Sequence, residues 1–135
     1  MKVRALILVL MLPALTLCSS EDSEYVDDVE APSIRVVTPL EEHFYKPGDT
    51  IFIRASFSDD HLLRTGSVHI HDQFIESPRD TVFVYQFRIE ERTFELDTFW
   101  IANSELNKNY DIYMDATDYA ENYEQTRRTF YVYHE

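Results

Sequence analysis

The strongest constraint on the fold is an alternation of apolar and polar residues with a period of two, which runs from Pro32 to the end of the chain. Turn-forming residues interrupt it roughly every 8–12 positions, as in sandwiches of short strands. The clearest strand is predicted over residues 50–57, because successive side chains of a strand point to opposite faces. Its core face would carry Ile51, Ile53, Ala55 and Phe57. The pattern predicts an all-β domain.

Six further segments show the same pattern, so seven strands are predicted. The other six cover residues 33–38, 66–71, 81–89, 92–96, 109–117 and 125–133. Their size and rhythm are typical of an immunoglobulin-like antiparallel β-sandwich over residues 32–135. Residues 81–89 carry apolar side chains on both faces, which predicts a strand packed from two sides. The single cysteine cannot form an internal disulfide, so the core depends on aliphatic and aromatic burial.

Residues 1–17 have the composition of a secretory signal peptide. Lys2 and Arg4 precede an unbroken apolar run over residues 5–12, which is shorter than the ~20 apolar residues that span a bilayer. Residues 18–31 are acidic and offer little apolar surface to bury, so they are predicted to form a flexible tether. The sandwich domain follows from residue 32.

The residues around Cys18 resemble the lipobox of bacterial lipoproteins, in which the cysteine becomes the acylated first residue. Leu15 and Thr16 match that pattern, whereas Leu17 stands where a small residue is usual. Acylation of Cys18 would anchor the chain in a membrane, at the outer membrane or the cell surface. Cleavage near Ser20 would instead leave a soluble periplasmic or secreted domain. Both alternatives predict export.

Charge and glycine content exclude several classes of function. The chain has 25 acidic and 12 basic residues and a formal net charge of −13, so phosphate backbones would repel it and nucleic acid is not an expected partner. Only two glycines are present, and phosphate-cradling loops and a glycine-flanked nucleophilic serine are missing. The chain is therefore predicted not to be an enzyme.

Five short motifs are similar to those of one family. They are Ala-Pro-Ser-Ile at 31–34, Thr-Pro at 38–39, Tyr-Lys-Pro-Gly-Asp-Thr-Ile at 45–51, Ser-Asp-Asp at 58–60 and Asp-Ala-Thr-Asp-Tyr-Ala-Glu-Asn at 115–122. Together they resemble Bacteroidetes-type lipoproteins with a single immunoglobulin-like, cadherin-like domain of unknown function. The resemblance implies the sandwich fold and no known reaction. Glu121 stands where the family usually has glycine, so a positive φ there would be strained, or Asn122 would adopt it.

Acidic residues in two predicted loops form a candidate calcium site, because calcium prefers several hard oxygen ligands. The loop after residue 57 and the loop after residue 117 follow strands that are adjacent in a sandwich, so we expect them to approach each other. The candidate ligands are Asp59, Asp60, Asp115, Asp118 and Asn122. The alternative is that these residues only close a hairpin and form a solvated turn.

A candidate transition-metal site lies at His69 and His71, which share one face of a predicted strand about 7 Å apart. Two such imidazoles can share zinc or copper if a third ligand is present, and His61 or His43 is the candidate for it. The alternative is a pair of half-exposed histidines on the solvent side of a strand.

Aromatic side chains at predicted outward positions form a candidate binding surface, which comprises Phe52, Tyr113, Tyr131 and Tyr133. Such rings stack on sugars or anchor a protein partner. They also pair across strands, which stabilises a sheet by about 0.2–1 kcal/mol per pair. Residues 131–133 are a candidate open sheet edge that could add to another sheet.

These observations favour a non-catalytic binding or accessory module of the cell envelope, held at the membrane by its lipid. Its partner would be an envelope protein or a glycan. The alternative function is a metal-binding module. Calcium at the Asp-rich loops is the candidate cofactor there, ahead of zinc or copper at His69 and His71.

Overall fold

A computed structural model describes residues 28–77 and 80–134. Its strands are Ser33–Thr38 (β1), His43–Tyr45 (β2), Thr50–Ser58 (β3), Leu63–Asp72 (β4), Thr81–Arg88 (β5), Thr93–Ile101 (β6), Lys108–Asp118 (β7) and Tyr123–Val132 (β8). The predicted signal peptide, Cys18 and most of the predicted tether lie outside the described residues. Within the described part, no helix has the length and apolar character needed to cross a membrane.

The strands form two sheets. One has the order β1-β3-β6, and the other has the order β2-β8-β7-β4-β5. Neighbouring strands pair antiparallel, except β2 and β8, which are parallel. The predicted all-β sandwich is confirmed, with eight strands in place of seven. The additional strand, β2, has only three residues, which is too short to show a periodic pattern.

The core lies between the sheets and is built from alternate residues of each strand. The four residues predicted to form the core face of β3 are at most 1% exposed. The five-stranded sheet contributes the buried side chains of Val68, Ile70, Ile112, Met114, Phe130 and Val132. Trp100 of β6 packs edge-on against Tyr110 of β7, with ring centroids 5.1 Å apart. Aromatic contact therefore joins the two sheets directly.

The edges of the five-stranded sheet differ from the sequence prediction. β5 is an edge strand with Val82, Val84 and Tyr85 exposed, so the prediction that residues 81–89 pack from two sides is wrong. β8 is an inner strand, because β2 pairs with it and the Tyr133 amide donates a hydrogen bond to the Tyr45 carbonyl at 3.0 Å. The hypothesis of an open edge at residues 131–133 is therefore wrong.

Candidate functional site

The outer face of the five-stranded sheet carries many of the predicted site residues. Directly opposed residues of antiparallel strands point to the same side of a sheet, and the register aligns three rows here. The rows are Gln125-Asp115-Ser67-Gln86, Arg127-Tyr113-His69-Val84 and Thr129-Asp111-His71. We call this surface the polar face. It brings Tyr113, His69, His71 and Asp115 together.

Ser67 is the buried centre of the first hydrogen-bonded group on the polar face. Its hydroxyl donates to Asp115 Oδ2 at 2.7 Å, and Ser67 Oγ lies 2.7 Å from His69 Nε2. Ser67 Oγ has one proton to donate, so both contacts are hydrogen bonds when Ser67 donates to Asp115 and His69 is the tautomer that carries its proton on Nε2. The three side chains hold one another in fixed positions.

His71 forms a second fixed group. Its Nδ1 lies 3.0 Å from Asp80 Oδ2, and its ring packs edge-on against Tyr113 with centroids 5.2 Å apart. The hydrogen bond from His71 is the main reason that the pKa of Asp80 is lowered from its ordinary value. The imidazole is thereby held upright beside the Tyr113 ring.

Asp111 is the acceptor at the centre of the third row. One of its oxygens, Oδ1, accepts hydrogen bonds from Gln73 Nε2 at 2.8 Å, Arg127 at 2.9 Å and Thr129 Oγ1 at 2.7 Å. The Arg127 guanidinium also lies 6.0 Å from the centroid of the Tyr113 ring. Charge-assisted bonds of this kind are about twice as strong as neutral ones, so they order long side chains at the surface.

Two adjoining grooves open on this face. One has a volume of about 280 Å³ and is lined by His69, His71, Tyr113, Asp115 and Gln125. The other has a volume of about 600 Å³, and its lining includes Ser67, Gln86, Arg88 and Asp115. Asp115 lines both, so the two open grooves lie next to each other on this face.

An aromatic group lies at the β2 edge of the same face. Phe44 is 62% exposed, and its ring centroid lies 4.8 Å from that of Tyr131 and 5.7 Å from that of Tyr133. The Tyr133 hydroxyl donates to Asn109 Oδ1 at 2.9 Å. Three of the four predicted surface aromatics therefore share one face of the domain.

Phe52, the fourth, lies on the opposite side of the sandwich. It belongs to β3 of the three-stranded sheet, is paired in register with Phe99 and has the Arg54 guanidinium 4.9 Å from its ring centroid. The prediction that Phe52 belongs to the same surface as the three tyrosines is wrong, because β3 and β8 belong to different sheets.

The structure does not bring His61 to His69 and His71. His61 precedes β4, and eight residues of extended chain span about 26 Å. The centroids of the His69 and His71 rings are 6.2 Å apart. In the part of the chain that the structure describes, no third residue of metal-binding type completes a set with them. The predicted three-histidine site is not formed.

The loops that follow β3 and β7 do meet, as the sandwich prediction requires: the Tyr119 amide donates to the Leu62 carbonyl at 3.3 Å. The fully buried Asp118 accepts the Asn122 backbone N–H at 2.8 Å and the Asn122 side-chain amide at 2.7 Å. These two residues close the β7–β8 hairpin. Asp115 faces outward on the polar face, so the structure does not place it with the other predicted calcium ligands.

Four residues at this end of the domain converge more closely. We call Asp28, Asp59, Asp60 and His61 the loop-end cluster. Each offers one ligand atom, and these atoms lie within 4.8 Å of one another. The Asp28 backbone carbonyl accepts the Asn122 side-chain amide at 3.0 Å, which attaches the segment before β1 to the β7–β8 hairpin.

Comparison with family models places the chain in one family. The model of a domain of unknown function, DUF4625, matches residues 16–132 of the chain. The chain belongs to this family. No curated protein matches the sequence.

Solved structures similar to this DUF4625 domain are distant in sequence. The sporulation control protein Spo0M from Bacillus subtilis has a TM-score of 0.55 at 9% identity, and the match covers 79% of this chain and 51% of Spo0M. Wild-type OgpA from Akkermansia muciniphila has a TM-score of 0.52 at 13% identity. That match covers 76% of this chain and 29% of OgpA. The chain thus spans about half of Spo0M and under a third of OgpA. These likenesses show the fold alone.

Several site residues of the DUF4625 domain were not predicted from its sequence. Asp28 falls in an acidic segment whose composition indicates a tether, and Asp80 precedes a strand in an unremarkable loop. Ser67 alternates with His69 and His71, so the strand period does place it on their face. Phe44 belongs to β2, which the alternation did not reveal.

Proposed function

We propose that the DUF4625 domain is a non-catalytic binding module of the cell envelope and that its polar face binds a glycan. The observation that supports this is the pair of neighbouring open grooves on that face. Tyr113 offers a ring, while Asp115 and Gln125 offer planar hydrogen-bonding groups beside it. Sugars present C–H faces that pack on aromatic rings and hydroxyls that both donate and accept hydrogen bonds.

Order within the polar face supports binding by a preformed surface. Ser67, His71 and Asp111 each hold neighbouring polar side chains through bonds of 3.0 Å or less. Side chains fixed before binding lose less conformational entropy when a ligand arrives. An open groove also suits a chain of sugar units better than a small molecule, which needs a concave pocket.

The hydrogen-bond direction at Ser67 supports a non-catalytic role. A histidine that activates a serine must accept the serine proton. Here the Ser67 hydroxyl donates to the Asp115 carboxylate at 2.7 Å, so its proton is directed at Asp115 and not at His69. Ser67 is also only 6% exposed, so a substrate carbonyl would not reach it.

The proposed location follows from the sequence outside the described residues. We propose that the chain is an exported lipoprotein of the Bacteroidetes type, acylated at Cys18 and presented at the outer membrane or cell surface. Metabolic labelling with a fatty-acid probe should label the wild-type chain and not a Cys18→Ala variant. A soluble, unlabelled wild-type chain in the periplasm or medium would favour ordinary signal cleavage.

Binding can be tested on a panel of defined oligosaccharides, with affinity measured by calorimetry. We expect Tyr113→Ala to weaken binding at least tenfold, which corresponds to about 1.4 kcal/mol. Phe52→Ala is the matched control, because it removes an exposed ring from the other sheet and should leave affinity unchanged. If Phe52→Ala alone lost binding, the ligand would be shown to bind the three-stranded sheet and not the polar face. Binding of a purified envelope protein but of no oligosaccharide would replace the glycan with a protein partner.

A further inference from the structure

The loop-end cluster concentrates negative charge, and within the described residues no Lys or Arg side chain is recorded in an ion pair with it. Arg64 and Arg88, two arginines at this end of the domain, form ion pairs with Glu121 and Glu90 instead. His61 is the group that faces the carboxylates: its Nδ1 lies 3.3 Å from Asp28 Oδ2 and 3.2 Å from Asp60 Oδ2.

Two atoms of the cluster are buried without a hydrogen-bond partner. Three such side-chain atoms occur in the described part of the chain, and Asp59 Oδ2 and His61 Nδ1 are two of them. His61 Nδ1 has the Asp28 and Asp60 carboxylates within 3.3 Å, although neither contact has hydrogen-bond geometry. Buried polar atoms are normally paired, so the unpaired Asp59 Oδ2 beside this ion pair is the atom that indicates a missing partner. The Asp28 side chain, which faces the same space, is only 9% exposed.

Electrostatics at Asp59 agree with this geometry. Burial raises the pKa of the Asp59 carboxyl, and the negative charges of Asp28, Asp118 and Asp60 raise it further, against a backbone hydrogen bond from His61 that lowers it. Carboxylates that repel one another in this way are stabilised by a shared cation.

We propose that the loop-end cluster binds one divalent transition-metal ion, Zn²⁺ or Mn²⁺. Three carboxylates and one imidazole form a mixed oxygen and nitrogen donor set, which suits these ions. Calcium prefers oxygen ligands alone, so it should bind more weakly here. The site differs from both predicted metal sites. It combines Asp59 and Asp60 of the predicted calcium site with His61 of the predicted transition-metal site, and it adds Asp28.

Metal binding at this position acts on the segment before β1. The backbone carbonyl of Asp28 accepts a hydrogen bond from the Asn122 side-chain amide, and the Asp28 carboxylate faces His61 in the β3–β4 loop. A bound ion would cross-link residue 28 to residues 59–61. It would therefore hold the described segment before β1 against the β3–β4 loop.

The test uses the tag-free exported chain, stripped with chelator and titrated with Zn²⁺, Mn²⁺ or Ca²⁺ by calorimetry. We expect one equivalent of Zn²⁺ to bind, with affinity in the order Zn²⁺, Mn²⁺, Ca²⁺, and the melting temperature to rise by several degrees at saturation. No binding of any ion by the folded wild-type chain would overturn the proposal. Calcium bound more tightly than zinc would overturn the donor assignment.

Variants locate the ion. We expect Asp59→Asn and His61→Gln each to weaken zinc binding at least tenfold. The His61 side chain is half-exposed, so His61→Gln should fold and provides the test if Asp59→Asn does not fold. His71→Gln and Asp97→Asn are matched controls on the polar face and on the three-stranded sheet, and both should bind zinc as the wild type does. Zinc binding lost in His71→Gln but kept in His61→Gln would place the metal on the polar face and overturn the proposal.

Discussion

Glu121 adopts a backbone conformation that suits glycine. Its φ is 69° in the β7–β8 turn, and this region costs a residue with a side chain about 1–2 kcal/mol. Glycine loses more backbone entropy on folding, by roughly 0.5–1 kcal/mol. The exposed ion pair of Glu121 with Arg64, at 3.6 Å, contributes little. We therefore expect Glu121→Gly to stabilise the domain by about 0.5–1 kcal/mol, measured as an increase in the urea midpoint.

The control for this prediction is Glu124→Gly, three residues further along and inside β8. Glycine in a strand interior should destabilise the domain by about 0.5–1 kcal/mol. Equal effects of the two substitutions would mean that the turn conformation of Glu121 is not strained.

The His71–Asp80 pair should affect stability in acid. The pKa of Asp80 is lowered in the folded domain, chiefly by the hydrogen bond from His71. A carboxyl with a lowered pKa stabilises the folded state above its unfolded pKa, which is about 4. That contribution is lost as the pH falls through the folded pKa. The free energy of unfolding is measured with urea at several pH values. Below about pH 4, we expect it to fall more steeply for the wild type than for Asp80→Asn. The control variant Asp97→Asn should behave as the wild type does. Identical slopes for wild type and Asp80→Asn would contradict the assignment.

At the scale of elements, the parallel pairing of β2 with β8 makes a prediction about hydrogen exchange. The Tyr133 amide donates to the Tyr45 carbonyl at 3.0 Å, and the Glu42 amide donates to the Thr129 carbonyl at 2.7 Å. Both amides should therefore exchange slowly in the native chain, as inner-strand amides do. Exchange at the rate of an unstructured peptide would show that β2 does not pair and that β8 is an open edge.

Local pattern explains which elements were predictable. Alternation identified β3 and β7 because each buries one face along nine or more residues. It misjudged β5, since apolar residues on both faces occur in an edge strand as well as in a covered one. It also ended β6 at residue 96, whereas the strand continues to Ile101. Sheet membership depends on long-range pairing, so Phe52 and Tyr113 looked equivalent in the sequence.

The same limit applies to the candidate site. The approach of the β3–β4 and β7–β8 loops was predictable from the sandwich, whereas the placement of Asp28 beside them was not. Asp28 lies 31 residues before Asp59 in an acidic run, and only the entry of the chain into β1 brings it there. The polar face was partly predictable, because His69 and His71 share a strand period.

At the scale of the whole molecule, the two sheets share one core, and we expect them to unfold together. Trp100 is the only tryptophan. It belongs to the three-stranded sheet, yet its ring contacts Tyr110 at 5.1 Å and Phe130 at 6.3 Å in the other sheet. Its fluorescence therefore reports sheet-to-sheet packing, whereas far-UV circular dichroism reports the strands. The urea midpoints from the two signals should coincide. A fluorescence transition at lower urea, with circular dichroism unchanged, would mean that the sheets separate before their strands are lost.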